Sequence, residues 1–382
     1  MRLLALLAAA CLAQARKNKY IVPGATWYDT DGAVLSAHAG GIVHDNGTWY
    51  WFDTNLFSGL NVYSSSDLLN WKNEGRALSP LNGTDIDASR VVERPKAIFS
   101  EELHEWVLWF HSDNSSYALL QQGVATSPNI TGPYTFRRVF SPLGGTSQDF
   151  GLFQDVDGTG YALYSNGDAD SAHDNIIARM NAKPHRHFDL EAPTIIYTGA
   201  HYYILMSHKS GYRSNNVVVF SAESITGPWS IQSFIAPLGT RTFNSQSTMG
   251  ITINGSVTTT YLYCGDQWAT ANTLYDSRYM WLPATIDENT ASFTIDWHDL
   301  YSIDATTGEV SYPEGTVYEA EDGVLSGSAY ITTCSMPTRQ LRSPVSVAPG
   351  THSGCRFTTT ILMVYSPRPY DVHNQPRHSF RG

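Results

Sequence analysis

Five times along the chain an apolar run is followed by a polar turn and a second apolar run, and this recurrence constrains the fold more than any other feature. The five are GGIVHDNGTWYWF from Gly40, KAIFSEELHEWVLWF from Lys96, FGLFQDVDGTGYALYS from Phe150, PTIIYTGAHYYILMS from Pro193 and MGITINGSVTTTYLY from Met249. Each predicts a β-hairpin, because two stretches rich in β-branched and aromatic residues flank a turn. Their starts fall roughly 43 to 56 residues apart, a spacing that suits one four-stranded propeller blade. A later segment recurs as well. Ile130-Thr131-Gly132-Pro133-Tyr134 and Ile225-Thr226-Gly227-Pro228-Trp229 lie about two blades apart, and VYSSSDLLNW from Val62 shares their layout of strand, turn and aromatic. Little of this region carries the period of an amphipathic helix. The expected fold is therefore all-β, a five-bladed β-propeller over residues 16–310.

The first residues read Met1-Arg2, then LLALLAAACLA, then Gln14-Ala15. A basic start, a short apolar run and a small-residue cleavage site predict a signal peptide over 1–15 and a secreted, extracellular product beginning at Arg16. The apolar run is shorter than the roughly 20 residues a bilayer needs, and no later stretch approaches that length, which excludes a membrane span. Sequons at Asn46, Asn82, Asn114, Asn129 and Asn254 agree with a glycosylated monomer on the secretory route. A net charge of −11 argues against nucleic acid and anionic membrane as partners and suits a neutral substrate. Ten Trp and 22 Tyr in a chain that is only 15% charged either build sugar-stacking surfaces or fill β cores. With Cys11 lost in the leader, Cys264, Cys334 and Cys355 remain. These cannot form a disulfide framework, although Cys334 and Cys355 can pair in an oxidising compartment. The thirteen His are scattered and no CxxC or HExxH occurs, so no metal site is predicted.

In a propeller the first strand of each blade lines the central channel, so a residue just before that strand points toward the axis at one mouth. Those positions hold His38, Glu93, Asp149, Glu191 and Gln246. Singly, each reads as an ordinary polar strand end; together, ring closure would gather them in one pocket. Hydrolysis of a glycosidic bond needs one carboxyl group kept protonated for the departing oxygen and a second group that activates water or attacks the sugar. Burial and mutual repulsion raise one carboxyl pKa while its neighbours stay ionised. Glu191 is the expected acid, since it precedes Ala192-Pro193 at the head of a strongly apolar strand pair, and Asp149 would tune it electrostatically.

The segments VVERPKAIF, SQDFGLFQDVDGTGYALYS, LEAPTII, TFNSQST and YCGDQW followed by SRYMWLP resemble glycoside hydrolase family 43, most closely its exo-β-1,3-galactanase branch. The resemblance runs from about Tyr20 to about Ile303. It implies a five-bladed propeller, inverting exo-cleavage of β-1,3-galactan with release of galactose, and no required cofactor. Position by position it implies Glu191 in LEAP as general acid and Asp149 in SQD as the residue that modulates its pKa. Most of that family carries an aspartate base on the first blade, where this chain has Ser36-Ala37-His38-Ala39. The galactanase branch is similar in lacking it and in carrying Glu93 and Gln246 at the pocket, with the glutamine implied to orient or activate the water. An amide is a poor base, so that role needs an unusual tautomer or a proton route through a neighbour. His38, Asp53, Asn166, Asp168, Trp268 and Arg278 are the expected sugar-binding residues. β-1,3-Galactan or arabinogalactan is the expected partner. The competing readings are an arabinofuranosidase or xylosidase of the same fold, and a catalytically silent sugar-binding propeller.

Beyond the propeller, VYEAEDGVLSG from Val317 resembles the opening strand of a family 35 carbohydrate-binding module, whose acidic pair often helps to hold calcium. Such a module needs about a hundred further residues to bury a core, and about sixty remain. From Gly323 to Tyr370 there is no Asp or Glu, while Arg, Ser, Pro and Thr accumulate. Residues 311–382 are therefore expected to be a partial module, truncated or disordered after about residue 334, which argues against calcium binding by Glu319 and Glu321.

Overall fold

Asn46 and Gly47 both adopt positive φ, 48° and 75°. This is the backbone a two-residue hairpin turn requires, because its twist matches that of the strands it joins. They link β1 (Ile42–Asp45) to β2 (Thr48–Phe52), and β3 (Leu60–Ser65) and β4 (Lys72–Leu78) complete an antiparallel sheet in simple up-and-down order. The computed structural model describes residues 17–53, 59–165, 175–179, 190–211, 213–269, 277–313, 330–331 and 345–346.

The same meander recurs around a ring. A second blade comprises β5 (Val91–Ser100), β6 (Glu105–Asp113), β7 (Gln121–Ser127) and β8 (Thr135–Phe140). The third contains β9 (Phe150–Gln154), β10 (Gly160–Ser165) and β11 (Asn175–Arg179). A fourth is formed by β12 (Leu190–Tyr197), β13 (Tyr202–His208), β14 (Val217–Ala222) and β15 (Ser233–Phe234), and a fifth by β16 (Gln246–Asn254), β17 (Thr259–Gln267), β18 (Arg278–Asp287) and β19 (Ser292–Ile295). All five expected hairpins form, as the first two strands of the five blades. The repeated Ile-Thr-Gly-Pro segment makes the same turn in blades two and four, with Gly132 and Gly227 at φ 84° and 81°.

The innermost strands β1, β5, β9, β12 and β16 pack in sequence around the axis. Closure falls between blades five and one. There Trp51, Trp71 and Trp281, each 1% exposed, pack in T-shaped and tilted pairs with ring centroids 4.9–6.2 Å apart. These indoles fill the core, so for them the choice left open by composition falls to packing and not to sugar stacking. At the same seam Ile21 and Tyr301 exchange backbone hydrogen bonds of 2.7 and 3.1 Å, tying the chain ahead of blade one to the chain beyond blade five. A small hairpin, β20 (Ser302–Ile303) with β21 (Val310–Ser311), follows. Past residue 313 the description is limited to the two-residue pair β22 (Tyr330–Ile331) and β23 (Val345–Ser346). The leader, Glu319, Glu321, Cys334 and Cys355 lie outside the described residues. Asn46, Asn82, Asn129 and Asn254 are exposed. Asn114 is half-buried, and its Oδ1 accepts hydrogen bonds from Ser116 and Ala118.

Candidate active site

Three inner strands are bulged close to their starts: β5 between Glu93 and Lys96, β12 between Glu191 and Thr194, and β16 between Ser247 and Met249. In the first two the sequence is Glu-x-Pro, with Arg94 and Ala192 at φ 53° and 54°. Proline offers no N–H to a ladder, and the left-handed residue before it re-aims the strand end. This corrects one detail of the sequence reading. Glu93 and Glu191 do not precede their strands but lie within them, because pairing continues upstream of the bulge.

A chain of short polar contacts joins four blades. Arg94 Nε lies 2.7 Å from Asp149 Oδ1, and Arg94 Nη2 donates to Gln246 Oε1 at 2.8 Å. Gln246 Nε2 in turn donates to Glu191 Oε1 at 2.7 Å, and Trp268 Nε1 donates to Gln246 Oε1 at 2.9 Å. Arg94 is only 5% exposed, and Asp149, Glu191, Glu93 and Asp266 all act on it electrostatically. Burial, followed by the negative charge of Asp149, pushes the Glu191 carboxyl up to about 8, against the opposing pull of Arg94, Lys209 and the Gln246 hydrogen bond.

Blade one contributes differently. His38 Nδ1 sits 3.3 Å from Asp266 Oδ1, and its ring stacks on Tyr279 with centroids 4.6 Å apart. Asp266 Oδ2 accepts the Ala39 N–H at 2.6 Å and the Thr248 hydroxyl at 3.0 Å. Lys96 Nζ donates to Ala39 O at 3.2 Å, and burial with the adjacent Arg94 charge lowers the ammonium to about 7. Behind Glu93, the Tyr117 hydroxyl donates to Oε1 at 2.6 Å, and His111 Nδ1 lies 3.8 Å from Oε2.

Of the expected residues, Asp149, Glu191, Gln246 and Trp268 are brought together directly, with Glu93 and His38 at their flanks. Asp53 is a correction. It is 0% exposed, accepts from Asn61 Nδ2 at 3.1 Å, and burial raises its carboxyl well above the usual range. It is enclosed in blade one beside Asn61, and it is not among the residues joined in the contact chain. Arg278 is half-buried at the start of β18, with Nη1 donating to Ser277 O at 3.1 Å. Asn166 and Asp168 lie outside the described residues. Sequence reasoning missed Arg94, Lys96, His111, Tyr117 and Asp266. Among the described residues no group of three His, Cys, Asp or Glu is arranged to hold a metal, and no helix is long and apolar enough to cross a membrane.

Burial and the charge of Asp149 hold the Glu191 carboxyl protonated near neutrality, and the Gln246 amide is fixed against it. Such a site can donate a proton to a departing oxygen. Comparisons with known proteins point the same way. Residues 36–188 match the model for glycosyl hydrolases family 43. The exo-β-1,3-galactanase from Phanerochaete chrysosporium, solved with galactose, is 39% identical with a TM-score of 0.73, and the match covers 83% of this chain and 76% of that one. A Glu-to-Gln variant of that protein has been solved with β-1,3-galactotriose. The exo-β-1,3-galactanase from Clostridium thermocellum is 30% identical with a TM-score of 0.70, covering 78% of this chain and 70% of that one. Among curated proteins, a xylan 1,3-β-xylosidase from Vibrio sp is 25% identical over 198 residues, 46% of this chain and 36% of the relative. The chain thus aligns with about a third of that xylosidase's length.

Proposed function

The chain belongs to glycosyl hydrolase family 43, and from that premise we propose that it is a secreted enzyme that cleaves β-1,3-galactan from the chain end, releasing galactose with inversion at the anomeric carbon. The observation that carries this reading is the contact chain Asp149–Arg94–Gln246–Glu191, which spans four blades around one carboxyl pushed up to about 8. Glu191 donates its proton to the departing glycosidic oxygen, and Asp149 helps to keep that proton in place. Gln246 has both acceptor directions of Oε1 occupied by Arg94 and Trp268, so it serves as a donor that orients the attacking water and not as its base. The proton lost by the water leaves through a neighbouring carboxyl group, Glu93. The half-buried Trp268 offers a ring face to the sugar, with His38 and Arg278 beside it. The likeness to two exo-β-1,3-galactanases supports galactan as substrate. The leader-like start and four exposed sequon asparagines support secretion.

The similarity to a xylan 1,3-β-xylosidase favours a second reading, xylosidase activity on the same fold. Free-sugar release from β-1,3-galactan, xylan and arabinan by the purified chain and by Glu191→Gln decides between them. Galactose released by the wild type alone supports the proposal. Xylose as the main product transfers it to the xylosidase reading, and galactan binding without release of any sugar leaves a binding propeller.

A further inference from the structure

His111 on β6 stands behind Glu93, and the hydrolytic roles assigned above leave it unused. It is 1% exposed, with Nε2 3.0 Å from Asp113 Oδ2 and Nδ1 3.8 Å from Glu93 Oε2, and Nδ1 has no hydrogen-bond partner. Asp113 is immobilised in its turn. Oδ1 accepts the N–H groups of Asn114 and Leu119, each at 2.8 Å, and Oδ2 accepts that of Leu120 at 3.0 Å.

A neutral imidazole has one N–H and one lone pair. If the proton sits on Nε2, the lone pair of Nδ1 faces Glu93; if it sits on Nδ1, the lone pair of Nε2 faces Asp113. Either neutral form therefore aims electron density at a carboxylate inside a buried space. Only the imidazolium presents a donor to both. The titratable groups around the ring are Glu93 from β5, Asp113 from β6 and Tyr117 from the β6–β7 connection, whose ring centroid is 6.1 Å away. Tyr117 also donates to the other oxygen of Glu93. Each oxygen of that carboxyl group thus faces one donor direction, and together they define its plane.

We propose that His111 is a positioning residue of the reaction: locked to Asp113, it remains protonated at working pH and directs Nδ1–H at Glu93, fixing the orientation in which Glu93 meets the substrate and its water. This rests on the reading of Glu93 as part of a hydrolytic site. Burial alone would lower the imidazole, but the Asp113 hydrogen bond and the charges of Glu93 and Asp113 outweigh it and raise His111 to about 9.

The test is an NMR titration of the full chain labelled with carbon-13 at histidine Cε1, from about pH 5 to about pH 10, with His111 identified by the signal lost in His111→Gln. His111 is expected to stay protonated through neutrality, and Glu93→Gln is expected to lower its midpoint by about one pH unit or more. In the same His111→Gln protein kcat should fall about tenfold or more while KM stays within about twofold. A wild-type midpoint near the ordinary histidine value, or a midpoint unmoved by Glu93→Gln, overturns the proposal. Should His111→Gln fail to fold, the histidine signal displaced by Glu93→Gln identifies the residue, and the absence of any displaced signal is equally fatal. The two NMR midpoints need no turnover, so failure here is distinguishable from failure of the hydrolase reading.

Discussion

Gln246 gives an amide hydrogen to Glu191, Nε2 to Oε1 at 2.7 Å, while its own oxygen accepts from Arg94 and Trp268. With two donors at one end and a carboxyl group at the other, the amide has a single satisfactory orientation. That donor stabilises the ionised form of Glu191, yet burial and Asp149 prevail and the acid keeps its proton. The site therefore combines precise aim with a carboxyl group that is still able to give its proton away.

Catalysis should follow the protonation of Glu191. We expect kcat/KM to decline as pH rises through about 8, since the general acid is lost there. Glu191→Gln should lower activity by roughly 10²–10⁴-fold, the usual contribution of a positioned acid. A pH–rate profile on a galactan oligosaccharide checks both. A wild-type profile flat from about pH 6 to about pH 9 would contradict the assignment.

Stability should pay the opposite tribute to the same group. Folded Glu191 holds its proton up to about 8, whereas the unfolded chain releases it near the ordinary 4.5. Between those values the native state binds more protons, so its stability falls as pH rises through that window. Glu191→Gln removes this dependence. The variant should melt above the wild type at about pH 8 and close to it at about pH 4, and an identical Tm difference at both pH values would count against the raised carboxyl.

Arg94→Met should leave Asp149 facing an uncharged thioether in place of a guanidinium and leave the oxygen of Gln246 with Trp268 as its one remaining donor. The expected loss is about 3–5 kcal/mol in denaturant unfolding, in the range seen when one partner of a buried pair is removed. Turnover should collapse with it. Arg94→Lys should rescue little of either, because an ammonium cannot reach Asp149 and Gln246 in the forked geometry of a guanidinium. Near-wild-type kinetics in the lysine variant would show that the fork is dispensable.

Gly40 lies against the backbone of blade one, where an added Cβ would sit 1.7 Å from the Phe52 carbonyl oxygen. Gly40→Ala should destabilise by about 3 kcal/mol or more, since backbone must move to admit the methyl group. Gly47 has open space around it and only its positive φ to satisfy, so Gly47→Ala should cost nearer 1 kcal/mol. Urea unfolding of the two variants side by side tests the difference, and equal losses would refute it.

The ring was legible because hairpin periodicity is local: Asn46-Gly47 alone announces a turn that the backbone confirms. Asp149, Glu191 and Gln246 were legible because each stands just ahead of a blade's apolar run, and the structure joins them through Arg94, with Glu93 and His38 at the flanks. What escaped had no such offset. Arg94 stands directly beside Glu93, and adjacent strand residues ordinarily face opposite sides; a bulge with positive φ brings both to the site. Asp266 reads as one polar residue in an apolar strand, and only ring closure sets it against His38 and Ala39 of the first blade. Tyr117 lies in a connection without period. Asp53 failed in the other direction, because a carboxylate beside a motif gives no sign that folding will enclose it completely.

The bond pair between Ile21 and Tyr301 places both ends of the ring at one seam. Glu191, Arg94, Gln246 and Asp149 come from four separate blades, and the link from Arg94 to Gln246 needs blade five to come round to blade two, so a nascent chain carries all four groups before it carries their full geometry. On the proposed roles, hydrolytic competence is a property of the closed circle. Turnover would disappear as soon as the seam parts, even while individual sheets persist, and it would serve as a finer gauge of integrity than their strand content.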